Sequence, residues 1–258
     1  MRTIAVANHK GGVGKTATVQ ALGWVMAERG LKVLMVDTDP QSSLTGACGI
    51  DEAAGRSLAE VLMATRPSSA ALAGIIRQLG PRLYLAPADI ALSATELMLV
   101  TRMGRENVLK KALSSVQDEF DLCIIDCPPS LGLLTVNALT AADAVLVPTQ
   151  PQIVDLRGLR LFLETLEQIR QELNPSLQLL GILPTFYDRR LNHHREALRV
   201  MQEAQLPLLP VHVGRSIRIA EAANVGEPIT VYDPANPQST AYRYLAEVVE
   251  AWLENAQP

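Results

Sequence analysis

Short apolar runs alternate with stretches of helical period along almost the whole chain. The runs at Thr3–Asn8, Lys32–Asp37, Arg82–Ala86, Leu122–Asp126, Ala144–Pro148, Leu177–Leu183 and Leu208–Val213 are continuous rather than alternating, with turn residues at their borders. That pattern predicts strands buried on both faces. Helical period fills the intervals Lys15–Arg29, Ser57–Ala64, Ala91–Val116, Leu133–Ala141, Leu156–Leu173, Arg195–Ala204 and Ser239–Asn255, with Gly30 closing the first and Pro175 following the stretch that ends at Leu173. Strand–helix–strand repetition implies right-handed crossovers, hence an α/β, doubly wound, mostly parallel sheet flanked by helices. In such a sheet, ligands bind beyond the carboxyl ends of the strands. No Gly/Ser-rich or Pro-rich linker interrupts the pattern, so a single domain over residues 1–258 is expected. The stretch 51–81 is the least readable, with two modest helical patterns and a polar turn expected at 66–69.

Composition sharpens this picture. The chain is 48% hydrophobic but only 4% aromatic, so its core must be built from Leu, Val, Ile and Ala. A net charge of −4 argues against a basic coat, yet Arg189, Arg190, Arg195, Arg199, Arg215 and Arg218 cluster late in the chain, against only Asp188, Glu196 and Glu203 nearby. Cys48, Cys123 and Cys127 show neither CxxC nor zinc spacing, and two of them flank a predicted buried strand. No signal peptide and no membrane span are expected, so the sequence reads as a soluble cytoplasmic protein.

The chemistry begins at Ala7–Thr16, between the first strand and the first helix. Gly11, Gly12 and Gly14 let the backbone fold tightly and aim successive N–H groups inward, a nest for anions at a helix N-terminus. Lys15 is placed to reach the β- and γ-phosphates of ATP, and the Thr16 hydroxyl to ligate Mg²⁺. The ordinary phosphate loop asks for a glycine five positions before Gly14, where this chain has His9, so Lys10-Gly11-Gly12-Val13-Gly14-Lys15-Thr16 is a lysine-doubled variant. Acids then close two strands, in Asp37-Thr38-Asp39-Pro40-Gln41 and in Asp126-Cys127-Pro128-Pro129. Asp126 suits a metal-holding carboxylate, and Asp39 the orientation of an attacking water.

At these residues the chain resembles the deviant Walker A ATPases of the ParA/MinD group, and most of all ParA proteins of the Soj type. The likeness continues through Val147-Pro148-Thr149, Arg215–Ala222 and Pro228–Pro234. The resemblance implies an ATP-dependent homodimer in which Lys10 of one subunit reaches the nucleotide of the other. It implies slow hydrolysis, stimulated by a ParB-like or cargo-adaptor protein, that positions chromosome, plasmid or other large cargo. It also implies nucleotide contacts by residues Lys10–Thr16 with Ala17, by Asp37 and Asp126, and by Gly214 and Ser216 on the adenine side. Arg190 and Arg218 match positions that bind DNA non-specifically, and Arg189 and Arg215 would widen that patch, placing the protein on the nucleoid. Departures accompany the match. Ala17 stands where a second threonine is usual, His9 where glutamine is common, and Gly214-Arg215-Ser216 where Pro-Arg-Asn is typical.

Two other readings compete. A MinD-like membrane-associated ATPase would end in a basic amphipathic helix, but the final stretch carries Glu247, Glu250 and Glu254, which anionic lipids repel. Its apolar positions Tyr244, Leu245, Val248, Val249 and Trp252 are expected to pack on the sheet instead. A metal-cluster carrier or metabolic P-loop relative would need paired thiolates, which the three cysteines do not supply.

Overall fold

The computed structural model describes residues 1–50, 56–64 and 72–255; the turn expected at 66–69 lies outside them. Seven strands form one sheet in the order β3-β4-β2-β5-β1-β6-β7. They are β1 (Arg2–Val6), β2 (Val33–Asp37), β3 (Arg77–Gln78), β4 (Leu83–Ala86), β5 (Leu122–Asp126), β6 (Ala144–Thr149) and β7 (Gln178–Pro184). All pairings are parallel except that of β3 with β4. This is the doubly wound arrangement that the alternating pattern predicts.

Side chains of each strand point alternately to two apolar layers, which explains why the strands read as unbroken apolar runs. Ala5, Leu34, Val36, Cys123, Ile125, Val145 and Val147 face a core closed by the helices Leu58–Met63, Val108–Ser114, Leu133–Ala141 and Leu156–Glu172. Ile4, Val6, Val33, Met35, Leu122, Ile124 and Leu146 face the other, closed by α1 (Lys15–Glu28) and the C-terminal helix Pro237–Asn255. Gly23 is where α1 comes nearest to the sheet: a Cβ there would lie 2.6 Å from Met35 Sδ. Cys123 and Cys127 are buried in the first of these cores, as expected of small apolar residues.

Three expectations need correction. Residues 208–213 form no strand; their backbone pairs with β7 and the residue after it only at isolated bridges, Ile182/Leu208 and Thr185/Val213. Pro207 and, at the end of β7, Pro184 have no N–H to donate, so a continuous ladder cannot form there. The long helix expected over 91–116 breaks into Ala91–Leu99, a 3₁₀ turn at Arg105–Asn107, and Val108–Ser114. Gly104 adopts a left-handed φ of 67° at the break, and Arg102 turns back to donate to the carbonyls of Leu62 (2.7 Å) and Ala64 (2.9 Å). The C-terminal helix packs on the sheet layer through Leu245, Val248, Val249 and Trp252 as expected, joined by Tyr242 and Ala246, but Tyr244 of the expected stripe is exposed. The short helices Ser43–Ala47, Ile217–Asn224 and Ile229–Tyr232 carry too few turns to register as periodic, and sequence reasoning missed them.

The central strand offers a direct check of this packing. Ile124→Ala should cost roughly 2–5 kcal/mol of stability, read as a lowered denaturant midpoint. The same truncation at exposed Ile90 should move the midpoint by no more than about 0.5 kcal/mol equivalent.

Candidate nucleotide site

The carboxyl ends of β1, β2 and β5 meet at one edge, and the residues singled out in the sequence converge there. Asp37 and Asp126 are register partners across the parallel β2–β5 pair. The Thr38 N–H (3.0 Å) and hydroxyl (2.6 Å) both donate to the Asp126 carbonyl, locking the two strand ends together. From β1 the chain runs into the glycine loop, where Gly12 (φ 68°) and Gly14 (φ 86°) take the left-handed conformations that an inward-facing N–H nest requires. The loop is anchored from outside. Asn8 donates to the Pro148 carbonyl (2.7 Å) and accepts the Lys10 N–H (3.0 Å), Thr185 donates to the Val13 carbonyl (2.8 Å), and Gln150 to that of Gly12 (3.1 Å).

Lys15 is buried at the head of α1 and donates to the Lys10 carbonyl at 3.2 Å. Burial lowers its pKa, and the nearby Asp126 carboxylate opposes that shift. Thr16 donates its hydroxyl to Asp126 Oδ2 at 2.7 Å, while Asp126 Oδ1 is buried with no partner. Burial drives the Asp126 carboxyl well above the ordinary range, with Asp37 adding to the shift. Burial likewise raises Asp37, to about 6, against hydrogen bonds from Thr45. A hydroxyl and a carboxylate with an open, desolvated oxygen beside a phosphate nest fit Mg²⁺, a hard cation that takes few protein ligands. Asp126 and Thr16 would hold it.

Asp37 accepts from the Thr45 N–H (2.9 Å) and hydroxyl (2.7 Å) and from the Asp39 N–H (3.0 Å). It therefore shapes the turn that carries Asp39 and is not free to face a ligand with both oxygens. Asp39 accepts the Gln41 N–H at 2.9 Å through Oδ1 and is 9% exposed.

Lys10 does not point at its own loop. Its ammonium pairs with Asp155 Oδ2 at 2.6 Å, in the turn before the helix Leu156–Glu172. His9 gives this side of the loop its footing. Its ring lies against Gly158, where a Cβ would come within 2.5 Å, and stacks on Phe162 at 6.4 Å between centroids. The departure at residue 9 thus has a packing role that the sequence did not reveal.

A cleft of about 300 Å³ opens beside the N-terminus of α1. Gly14, Thr16, Ala17, Gly214 and Ser216 line it, together with Phe186, Val213, Ile219 and Tyr242, which sequence reasoning did not single out. Phe186 holds a left-handed φ of 52°, strained for a bulky residue, and only the assembled cleft gives this phenylalanine a purpose. Mostly apolar walls with a few polar groups, next to a phosphate nest, suit a nucleobase.

The arginines divide into two sets. Arg189, Arg190 and Arg215 line one open cleft next to Gly214 and Ser216. Arg190 is neutralised by Asp188 at 2.7 Å, and that guanidinium holds the Asp188 carboxyl down to about 2. Arg218 pairs with Glu221 (2.8 Å) and Asp233 (3.4 Å), and Arg199 with Glu196 and Glu203. Among the described residues, Arg189, Arg195 and Arg215 have no carboxylate within 4.0 Å, and of these Arg189 and Arg215 line the cleft. The net positive excess is smaller than the sequence count suggests. No helix of the described residues is long and apolar enough to cross a membrane.

Comparison with known proteins agrees with this geometry. A family model described as an AAA domain matches residues 1–179. The sporulation initiation inhibitor protein Soj of Bacillus subtilis is 38% identical over 256 residues, covering 97% of this chain and 98% of its own. A crystal structure from Mycobacterium smegmatis, named cobyrinic acid a,c-diamide synthase and holding an ATP analogue and magnesium, superposes with a TM-score of 0.87. It is 38% identical and covers 100% of this chain and 97% of its own. An aspartate-to-alanine variant of McdA from Cyanothece, in complex with ATP, gives a TM-score of 0.83 at 27% identity, covering 97% and 96% of the two chains. With its lysine-doubled loop and strand-end acids in place, the chain belongs to the deviant Walker A P-loop ATPases of the Soj/ParA group within the AAA-domain family.

Proposed function

We propose that the chain is a partitioning or positioning ATPase, dimerising on MgATP, binding DNA without sequence preference, and released when a partner protein stimulates hydrolysis. The observation that carries this reading is the meeting of Lys15, Thr16, Asp126 and Asp39 at one glycine loop beside adjacent strand ends, with Lys10 held off that loop by Asp155. The loop amides and Lys15 bind the triphosphate, and the α1 N-terminus adds its positive potential. Mg²⁺ held by Thr16 and Asp126 supplies neutralisation of phosphate charge. Asp39, on a turn braced by Asp37, orients the attacking water. Phosphoryl transfer needs mainly positioning and charge stabilisation, so a modestly basic carboxylate suffices. Lys10 is the switch. Paired with Asp155 in a single chain, it leaves that partner to reach the triphosphate bound by a second copy, which makes dimerisation depend on the γ-phosphate.

The synthase name of the Mycobacterium smegmatis structure is not favoured here. Drawing ammonia from glutamine for amide synthesis takes a reactive thiolate. Burial raises all three cysteine thiols, Cys48 to about 12 and the others further. A membrane-bound positioning role is disfavoured because the C-terminal helix spends its apolar face on α1 and the sheet.

Asp39→Ala should leave MgATP binding and dimerisation intact but slow turnover by about 10²-fold or more. Phosphate release together with size-exclusion chromatography checks this, and normal turnover removes Asp39 from the water-orienting role. Lys10→Ala should spare nucleotide binding by the monomer and weaken the ATP dimer. Asp155→Ala should tighten the dimer by no more than about fivefold, because a half-exposed ion pair is worth only ~0.2–1 kcal/mol. Sedimentation with ATP measures both variants. ATP-loaded protein should be retained on random duplex DNA at low salt. Replacing Arg189 and Arg215 together by Ala should reduce the slope of log affinity against log salt by about 2, roughly 0.9 per lost phosphate contact. No retention of the unaltered protein would refute the DNA-binding part.

A further inference from the structure

The loop that closes the base cleft departs from the family pattern at Gly214, and the structure supplies a substitute for the stiffness lost there. Glycine leaves the backbone freer than any other residue, so a loop built on it must be held from outside. The Gly214 N–H donates to Gln238 Oε1, from the first turn of the C-terminal helix. A proline at 214 could not make this bond, having no N–H. The contact is exclusive in shape as well. A Cβ on residue 214 would lie 2.9 Å from Gln238 Nε2 and 3.2 Å from Oε1, so a larger residue there would push the Gln238 amide off this contact.

Gln238 is itself held in place. Its N–H donates to Asn236 Oδ1 (3.0 Å), Asn236 donates to Asp233 Oδ2 (3.1 Å), and Arg218 Nε donates to that same oxygen (3.4 Å). The loop is therefore tied to a polar chain running from the C-terminal helix to the helix Ile217–Asn224. Gly214, Ser216 and Phe186 line both the base cleft and the adjoining cleft to which Gln238 belongs.

We propose that Gln238 is a positioning residue for the nucleobase, holding the 213–216 loop against the base cleft by accepting the Gly214 N–H. This rests on the reading of the site as an ATP site. Gln238 touches neither phosphate nor the reacting atoms; it acts through Gly214, so its effect falls on recognition of the base and not of the triphosphate.

The test uses the full chain, a fluorescent ATP analogue with Mg²⁺, and competition by ATP or by inorganic tripolyphosphate, which lacks a base. Gln238→Leu keeps the bulk and removes the acceptor; it should weaken ATP by about five- to tenfold and leave tripolyphosphate competition unchanged. Gln238→Glu retains an acceptor oxygen and should stay within about twofold of the unaltered protein. In a Gln238→Ala background, Gly214→Ala should add little further loss, whereas alone it should displace Gln238 and weaken ATP. Unaltered ATP affinity in Gln238→Leu overturns the proposal, as does a parallel loss for ATP and tripolyphosphate. If the unaltered protein binds tripolyphosphate but not ATP, or binds neither, the nucleotide reading itself has failed, an outcome distinct from a failure at Gln238 alone.

Discussion

Two carboxylates buried side by side, with a buried ammonium close to one of them, set the conditions for everything else at this site. Asp37 and Asp126 end adjacent parallel strands in register. Water is excluded from both, and burial raises both pKa values. Such a pair is costly unless donors or cations share the charge. The chain answers the cost differently at the two positions. Asp37 is satisfied within the fold by Thr45 and the Asp39 N–H. Asp126 has Thr16 on one oxygen and nothing on the other. One acid is satisfied within the fold, and the other keeps a buried oxygen that fits the proposed Mg²⁺ role.

The same economy governs the lysines. Lys15 is buried and committed to the loop, its charge balanced by nearby Asp126. Lys10 is half-exposed and held by Asp155, a partner it can leave at small cost. Two lysines five residues apart thus have different freedom, because one lies at a helix head inside the sheet edge and the other on a loop shoulder braced by His9 and Gly158. That difference is what the proposed ATP-gated association would use: one cation fixed at the loop and one that can be redirected.

The cleft proposed for the nucleobase and the surface proposed for DNA adjoin one another. Gly214 and Ser216 line both the base cleft and the cleft bearing Arg189, Arg190 and Arg215. Arg218, further along the same segment, is bound into the polar chain that ends at Gln238. Acidic neighbours quench Arg190 and Arg218, the two positions matched by resemblance, so the uncompensated charge shifts to Arg189 and Arg215.

The sheet, its helices and the phosphate loop were legible in the residues because they depend on local rules. Unbroken apolar runs mark strands covered on both faces, glycines mark the left-handed turns at 12 and 14, and acids after apolar runs mark strand ends. The local rules also misled where the outcome depended on distant partners. Residues 208–213 look like a strand, but Pro207 and Pro184 leave only two isolated bridges beside β7, and the helical period over 91–116 hides a break that Arg102 fastens to Leu62 and Ala64. The sequence by itself determined the fold class and the chemistry of the loop, since both follow from hydrophobic period and residue type. Only the tertiary structure decided that Asp126 keeps an open oxygen, that Lys10 rests on Asp155, and that Gln238 holds Gly214. Each of those contacts joins residues far apart in the chain, and whether a polar group is satisfied or free depends on what folding brings beside it.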